Sequence, residues 1–557
     1  MKTKIYILIA AITVLGWSCS DDFLDVNPKD QLSDATFWQT QEDADLALAG
    51  AYGTAKLSAF PNFYRWNERS NAWESGWNIN FMDLMTDNGY SQYIWDGVKT
   101  AGNGQVNPSD RNMHNFFKYN RIVKYNTFLE NIDRVDMEES KKARYKAEVR
   151  FLRAYDYFKK VMWYGDVPLV TNSIEDPRDA NLGRDPKQEV VDFILKELGE
   201  IAGDLPVQNA VQSGGHATRG AALALKARLE LYEGMWSDAM ADAKSVMDMD
   251  VYELYEVGET AYYDMFLPEN ESLNKENIMA IEHIQNEFPS VMWQHLLPAQ
   301  EGGWSSINAS QSIVDAYETL DGKTIDDPTS GYDADKPFEN RDPRLDMTII
   351  HAGSMWNGRY FNPISQFLDE AETVANPDYF TQGSASRSGY NVYKYSKVVP
   401  VADLRNGEGN IIVFRLAEML LTFAEAAIEN NQITGEVYDA LDRIRTRAGM
   451  PVVDRGVYNS QDKMRELVRR ERRVELAFEG LRHYDIKRWD IGAEVIPGPL
   501  YGTRPGHVDM TTGEVTFTDG DRVVMEERAF FPQRKYLLPI PQSEIDANPN
   551  MVQNEGY

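Results

Sequence analysis

Apolar residues return at three- and four-residue spacing through much of the chain, the rhythm of helices with one buried face. Residues 42–57 place Ala44, Leu46, Ala47, Ala51 and Tyr52 in that register, with Ser33 or Asp34 available to cap the approach. Residues 111–135 and 138–164 repeat the pattern on either side of a short break, which predicts an antiparallel hairpin of helices. Gly165 and Pro168 stop the second of them. Further helices are predicted over 187–205, 217–233 and 236–249. Gly220, Ala221, Ala222, Ala224 and Ala227 leave room for a close neighbour.

The rhythm fails in two long stretches. Residues 60–110 hold Trp66, Trp73, Trp77 and Trp95, with Tyr64, Tyr90 and Tyr93, among many Asn, Gly, Ser and Asp. Residues 251–410 are rich in Gly, Pro, Asn and aromatics and predict loops and short strands, with a short helix over 310–320. Helical spacing returns at 411, then over 435–448 and 464–480, and the chain closes in an extended, turn-rich segment. The expected class is mainly α. A helical scaffold spans mainly 30–58, 111–250 and 411–490, and irregular, loop-rich regions span 60–110 and 251–410. Small and aromatic positions alternate on helix pairs of similar length, so the scaffold resembles degenerate tetratricopeptide-type units.

The segment 469–490, RRERRVELAFEGLRHYDIKRWD, combines an apolar face (Val474, Ala477, Phe478, Leu481, Tyr484) with dense charge. Arg472 can reach Glu475, and Glu479 can reach Arg482, at three-residue spacing. Gly480 interrupts or ends the helix. The expectation is a helix whose Arg and Glu side chains pin neighbouring segments from inside.

Composition narrows the function. The 557 residues carry a formal net charge of −30, which argues against binding nucleic acid phosphates or an anionic lipid surface. Lys2 and Lys4 precede an apolar run over 5–15, too short to span a bilayer, which takes ~20 residues. Cys19 follows at once and is the single cysteine, so it has no disulfide partner in the chain. Residues 1–18 read as a removed signal peptide. Cys19 resembles the acylated cysteine of a bacterial lipoprotein box, with Trp17 and Leu15 departing from its strictest form. Ser20, Asp21 and Asp22 resemble the surface-export signal of Bacteroidetes lipoproteins. The lipid on Cys19 is then the one expected membrane contact, at the outer membrane and facing the cell exterior.

Eight segments, in order, carry a wider resemblance. They are FLDVNPKDQLSDATFW from Phe23, AEVRFLRAYDYFKKVMWYGDVPLV from Ala147, ATRGAALALKARLELYEGMWSDA from Ala217 and NRDPRLDMTI from Asn340. The others are FRLAEMLLTFAEA from Phe414, RIRTRAGMP from Arg443, RRERRVELAFEGLRHYDIKRW from Arg469 and LLPIPQSEIDANPNMVQNEGY from Leu537. Together they resemble the SusD/RagB family of nutrient-binding outer-membrane lipoproteins. The resemblance implies one SusD-like domain over 19–557. It also implies a SusC-like TonB-dependent transporter as partner and an oligosaccharide ligand, or a peptide as in the RagB branch.

Enzymatic signatures do not accompany it. The chain has no HExxH, GxSxG, Walker or dinucleotide-binding motif, and its seven histidines are scattered. No enzyme activity, cofactor or metal is expected. Asp326, Asp327, Asp333 and Asp335 form an acidic loop cluster without the order of a Ca²⁺ loop, and a solvated loop explains them. Binding chemistry is better represented. Sugar rings offer a C–H face to aromatic rings and hydroxyl edges to amides and charges. The candidate ligand residues are Trp66, Trp73, Trp77, Asn78, Tyr93, Trp95, Trp304 and Asn308, with Trp356 a lesser one. Trp38, Trp163, Trp236 and Trp489 fall in scaffold segments and read as structural.

Overall fold

The computed structural model describes residues 37–557 except 59–64, 68–71, 75–78, 94–96, 111–116, 175, 210–214, 370 and 519. The first 36 residues, with Cys19, lie outside the described residues. The longer helices are α1 (Gln41–Ser58), α2 (Asn120–Asn131), α3 (Glu139–Tyr164), α4 (Lys187–Ile201) and α5 (Arg219–Tyr232). They continue with α6 (Trp236–Met247), α7 (Leu416–Glu429), α8 (Gly435–Arg447), α9 (Gln461–Glu475) and α10 (Arg482–Trp489). Each packs on its sequence neighbour from α2 to α6, and α6 then packs on α7, which also meets α8 and α9. The expected scaffold is therefore observed, as a stack of helix pairs that resumes across the loop-rich middle of the chain.

Local chemistry explains the pairing. Thr218 caps α5 by accepting a hydrogen bond from the Ala221 N–H at 3.1 Å. Gly220 lies against Tyr252, where an added Cβ would meet the phenol oxygen at 2.2 Å, so close approach demands glycine there. Almost the whole second half of α3 is buried, including Trp163 and Tyr164. Burying such rings contributes about 1.5–3 kcal/mol each.

The loop-rich regions hold short strands: β1 (Arg65–Asn67), β2 (Ala72–Glu74), β3 (Gly89–Tyr90), β4 (Asn277–Ile281), β5 (Asn308–Ala309) and β6 (Ile349–Ile350). After them come β7 (Met355–Trp356), β8 (Arg359–Tyr360), β9 (Asn391–Val392) and β10 (Ile411–Arg415). Near the C-terminus lie β11 (Gly498–Tyr501), β12 (Gly506–Val508), β13 (Val515–Phe517) and β14 (Val524–Arg528). The one four-stranded sheet among the described residues has the order β3-β5-β9-β6 and ties the 60–110 region to the 251–410 region.

Three local expectations are corrected. Residues 411–415 are strand β10, paired with β4, and the helix begins only at Leu416; the buried run Ile411–Phe414 reads equally as a buried strand. Helix α2 starts at Asn120, later than 111. Helix α9 ends at Glu475, five residues before Gly480, because Phe478 turns into the left-handed region at φ 59°. That conformation costs a non-glycine residue about 1–2 kcal/mol. The Phe478 N–H is held there by Asp83 Oδ2 at 2.5 Å.

The charges of 469–490 pin neighbouring segments, as expected, but not through the pairs Arg472–Glu475 and Glu479–Arg482. Arg488 meets Asp485 along its helix at 2.8 Å, and most of the others reach across the fold. Glu475 meets Arg415 at 2.7 Å, Arg344 at 2.9 Å and also Arg447. Glu479 takes Arg415 at 2.7 Å and Lys394 at 2.9 Å. Arg472 lies 3.4 Å from both Glu425 and Asp485, and Arg482 grips Asp87 through two 2.8 Å hydrogen bonds. These groups are buried, so the lattice fastens the loop-rich middle onto α7–α10 through the interior.

Candidate functional site

The four-stranded sheet sets up the most suggestive recess on the loop-rich side. β3 delivers Tyr90 and the following Gln92 and Tyr93; the 380–387 loop brings Phe380, Thr381 and Arg387; the start of β14 adds Val524 and Met525. Together with Lys99 they line a cavity of about 430 Å³. This lies within the roughly 300–1,000 Å³ of small-molecule clefts.

Trp304 adjoins two of the lining residues. Its carbonyl accepts hydrogen bonds from the Tyr93 hydroxyl at 3.2 Å and from Gln92 Nε2 at 3.1 Å. Its N–H donates to the Gln294 carbonyl at 2.7 Å. The half-buried indole meets His295 edge to face at 5.3 Å, and the Arg405 guanidinium lies 5.1 Å from its ring centre. Burial, with Arg405 adding to it, pushes the His295 imidazole down to about 3, so the ring supporting Trp304 is neutral. The turn before Trp304 is tight. A Cβ on Gly303 would fall 1.9 Å from the Leu297 carbonyl oxygen, so only glycine lets the chain pass. The sequence GGW is thus a rigid mount for an aromatic ring.

Cations flank the aromatics. Lys99 Nζ donates to the Tyr90 hydroxyl at 3.0 Å, and Arg387 donates to the Phe380 carbonyl at 3.1 Å. Half-buried Phe380 packs on Tyr379 with ring centres 4.6 Å apart. Rings, an amide and two cations around one recess suit a polyhydroxylated ligand: C–H faces stack while hydroxyls find donors and acceptors.

The structure brings Tyr93 and Trp304 together. The β1–β2 hairpin makes Trp66 and Trp73 direct cross-strand partners. Trp77, Asn78 and Trp95 lie outside the described residues. Asn308 sits in the interior on β5. Its amide is consumed by the Ser305 carbonyl at 2.5 Å and the Ser386 hydroxyl at 2.6 Å, so it presents nothing to a ligand. Trp356 is likewise buried, packed with Trp293, Ile350 and Phe361. The Asp327 and Asp333 carboxylates close their own turns, accepting from Thr329 and Asp335 N–H groups. Sequence reasoning missed Gln92, Lys99, Phe380 and Arg387. None has a patterned neighbour, and only the Gln92–Tyr93 adjacency hinted at one of them.

A stack of helix pairs carrying a loop-built, aromatic-rimmed recess defines a class of binding scaffold, and comparison with known proteins places the chain within it. The profile of the SusD family matches residues 259–557, and a second profile, described as starch-binding associating with outer membrane, matches 22–231. The chain belongs to the SusD family. SusD-like protein P38 of Formosa agariphila is 26% identical over 525 residues, covering 89% of this chain and 93% of that one. The starch-binding protein SusD of Bacteroides thetaiotaomicron is 25% identical over 611 residues, covering 100% of both. Among solved structures, a SusD-like carbohydrate-binding protein from Bacteroides fragilis superposes with a TM-score of 0.78 at 30% identity, covering 93% of this chain and 100% of that one.

Proposed function

We propose that the protein is a surface-exposed, lipid-anchored glycan-binding protein of the outer membrane, attached through Cys19. In this reading it delivers oligosaccharides to a SusC-like TonB-dependent transporter and performs no chemistry on them. One observation carries the ligand side. Tyr93 lines one recess with Gln92, Lys99 and Arg387, and its hydroxyl donates to the carbonyl of Trp304, 211 residues away. The relatives named as carbohydrate- and starch-binding support the same ligand class. The described helices include none long and apolar enough to cross a membrane, which is compatible with anchoring by lipid.

Binding of a panel of neutral polysaccharides and of peptides, measured by calorimetry, tests the proposal. A glycan that binds the wild type and loses affinity in Trp304→Ala supports it. Peptide binding with no glycan binding would replace it with the peptide reading. Prolonged incubation should return the glycan uncut, and release of product would overturn the binding-only role. Cys19→Ala should abolish acylation and membrane retention, read by lipid labelling and fractionation. Co-purification of the membrane-anchored protein with a TonB-dependent transporter tests the partner.

A further inference from the structure

A second, larger cleft shares no lining residue with the recess at Tyr93. Its volume is about 740 Å³, and one side is set by α9 and α10, the other by the 491–501 segment that ends in β11. Arg469, Arg470, Arg473, Arg482 and Arg522 line it, against Asp87, Asp315 and Asp326. A concentration of guanidinium groups is unexpected on a chain whose net charge is −30.

Three of the arginines are already engaged. Arg482 and Arg473 share Asp87, at 2.8 and 2.9 Å, and Arg470 pairs with Glu318 through a 2.8 Å hydrogen bond. Arg473 also donates to Asn88 at 2.9 Å and Ser312 at 2.8 Å. Asp315 accepts from Gln311 at 2.7 Å, and Asp326 is exposed.

Two are not so engaged. The Arg522 guanidinium makes no hydrogen bond or ion pair among the described residues. Arg469 stacks on Trp489 with its guanidinium 4.9 Å from the ring centre. Its nearest carboxylate is Glu429 at 3.7 Å, and its Nε is buried without a hydrogen-bond partner. Burial disfavours the charge on Arg469, against the pull of Glu425 and Glu429 and with Arg488 and Arg465 adding to it. Burial likewise pushes Arg473 down to about 10 despite Asp87. Cations held at such a cost gain from an incoming anion.

The opposite wall is apolar, with Pro497, Pro499, Leu500 and the 40%-exposed Tyr501. Guanidinium forks match carboxylate and sulfate in a bidentate manner, while an apolar wall suits the C–H face of a sugar ring.

We propose that this cleft binds acidic saccharides, glycans carrying a carboxylate or sulfate, with Arg469 and Arg522 engaging the anionic group. The proposal rests on the reading of the protein as a glycan binder but uses a different site, and its test keeps the two separable. Trigalacturonate, N-acetylglucosamine 6-sulfate, inorganic sulfate and neutral maltotriose are titrated into the detergent-solubilised, lipid-anchored protein by calorimetry at low and high salt. The expected result is binding of at least one acidic sugar, weakening with salt and unaffected by excess maltotriose. The uronate and the sulfated sugar distinguish the two anion types. Arg469→Gln and Arg522→Gln should each weaken it roughly 10-fold, the scale of one lost charge-assisted hydrogen bond. Thermal melting should stay near wild type, and Trp304→Ala should keep acidic-sugar binding. The proposal is overturned if neither acidic sugar binds, if inorganic sulfate binds as tightly as the sugars, or if both arginine variants keep wild-type affinity.

Discussion

The arginines around α9 and α10 divide into two populations that share a helix and differ in what they face. Arg472 and Arg488 point into the protein and join Arg344, Arg415, Arg445 and Arg447 in ion pairs with buried carboxylates. Arg469 and Arg473 line the open cleft, Arg469 with its nearest carboxylate 3.7 Å away and no hydrogen-bond partner for its Nε. The difference teaches that residue type and helical position do not separate a strut from a ligand group. The inventory of partners does. A guanidinium whose donors are spent inside the fold holds the fold, and one with donors left over is available to something else.

The largest expected effect comes from breaking the inner population. Glu475→Ala removes the carboxylate common to Arg344, Arg415 and Arg447, and leaves Arg415 and Arg447 to share Glu276 alone. Removing one member of such a buried set costs about 3–5 kcal/mol, and the chemical denaturation midpoint should fall accordingly. Next is Trp304→Ala, which should lower affinity for a neutral glycan about 10-fold, roughly 1.4 kcal/mol, with a smaller change in melting temperature. At the cleft, Arg522→Gln should change stability by no more than about 0.5 kcal/mol, the ordinary scale for a surface substitution that breaks no ion pair.

Acid titration sharpens the comparison through two carboxyls four residues apart. Burial alone would raise the Asp87 carboxyl, but Arg473 and Arg482 outweigh it and hold it at about 2. Its folded value lies below its unfolded one. The stability it contributes is therefore present above pH ~4 and is lost as pH falls towards 2. Glu475 is held low in the same way, burial being outweighed by Arg447, Arg415 and Arg344. Asp83 is the opposite case. Burial pushes its carboxyl up to about 7, against the Phe478 N–H and Asn88, and its Oδ1 has no hydrogen-bond partner. A raised folded value means that its contribution is complete below pH ~4 and is lost as pH rises through 7. Asp83→Asn should therefore flatten the decline of stability between pH 5 and 8, measured by urea titration at each pH. An unchanged slope would show that Asp83 does not titrate in this range.

Much of the scaffold was legible in the sequence because helical periodicity and stop signals are local. Helices α3 to α6 fall within a few residues of their predicted bounds. The break after Glu475 was not legible. It depends on Phe478 being caught by Asp83, 395 residues away in sequence. The same limit applies to the recess. Tyr93 and Trp304 were visible as aromatics in polar loops, but Lys99, Phe380 and Arg387 belong to the site only because a four-stranded sheet gathers distant loops. Asn308 misled for the complementary reason. Its polar context looked exposed, while the partners that satisfy it inside the sheet lie at Ser305 and Ser386.

The pair between Arg228 on α5 and Glu418 on α7, two hydrogen bonds of 2.6 Å in the interior, has a consequence for cutting the chain. The two matched family segments end at 231 and begin at 259, one holding the arginine and the other the glutamate. A nick between them would give each fragment half of a desolvated ion pair. Neither piece should behave as an independent domain on its own. Co-expressed, the two should find each other and restore one cooperative unit, so this boundary in evolutionary bookkeeping is no seam in the folded protein.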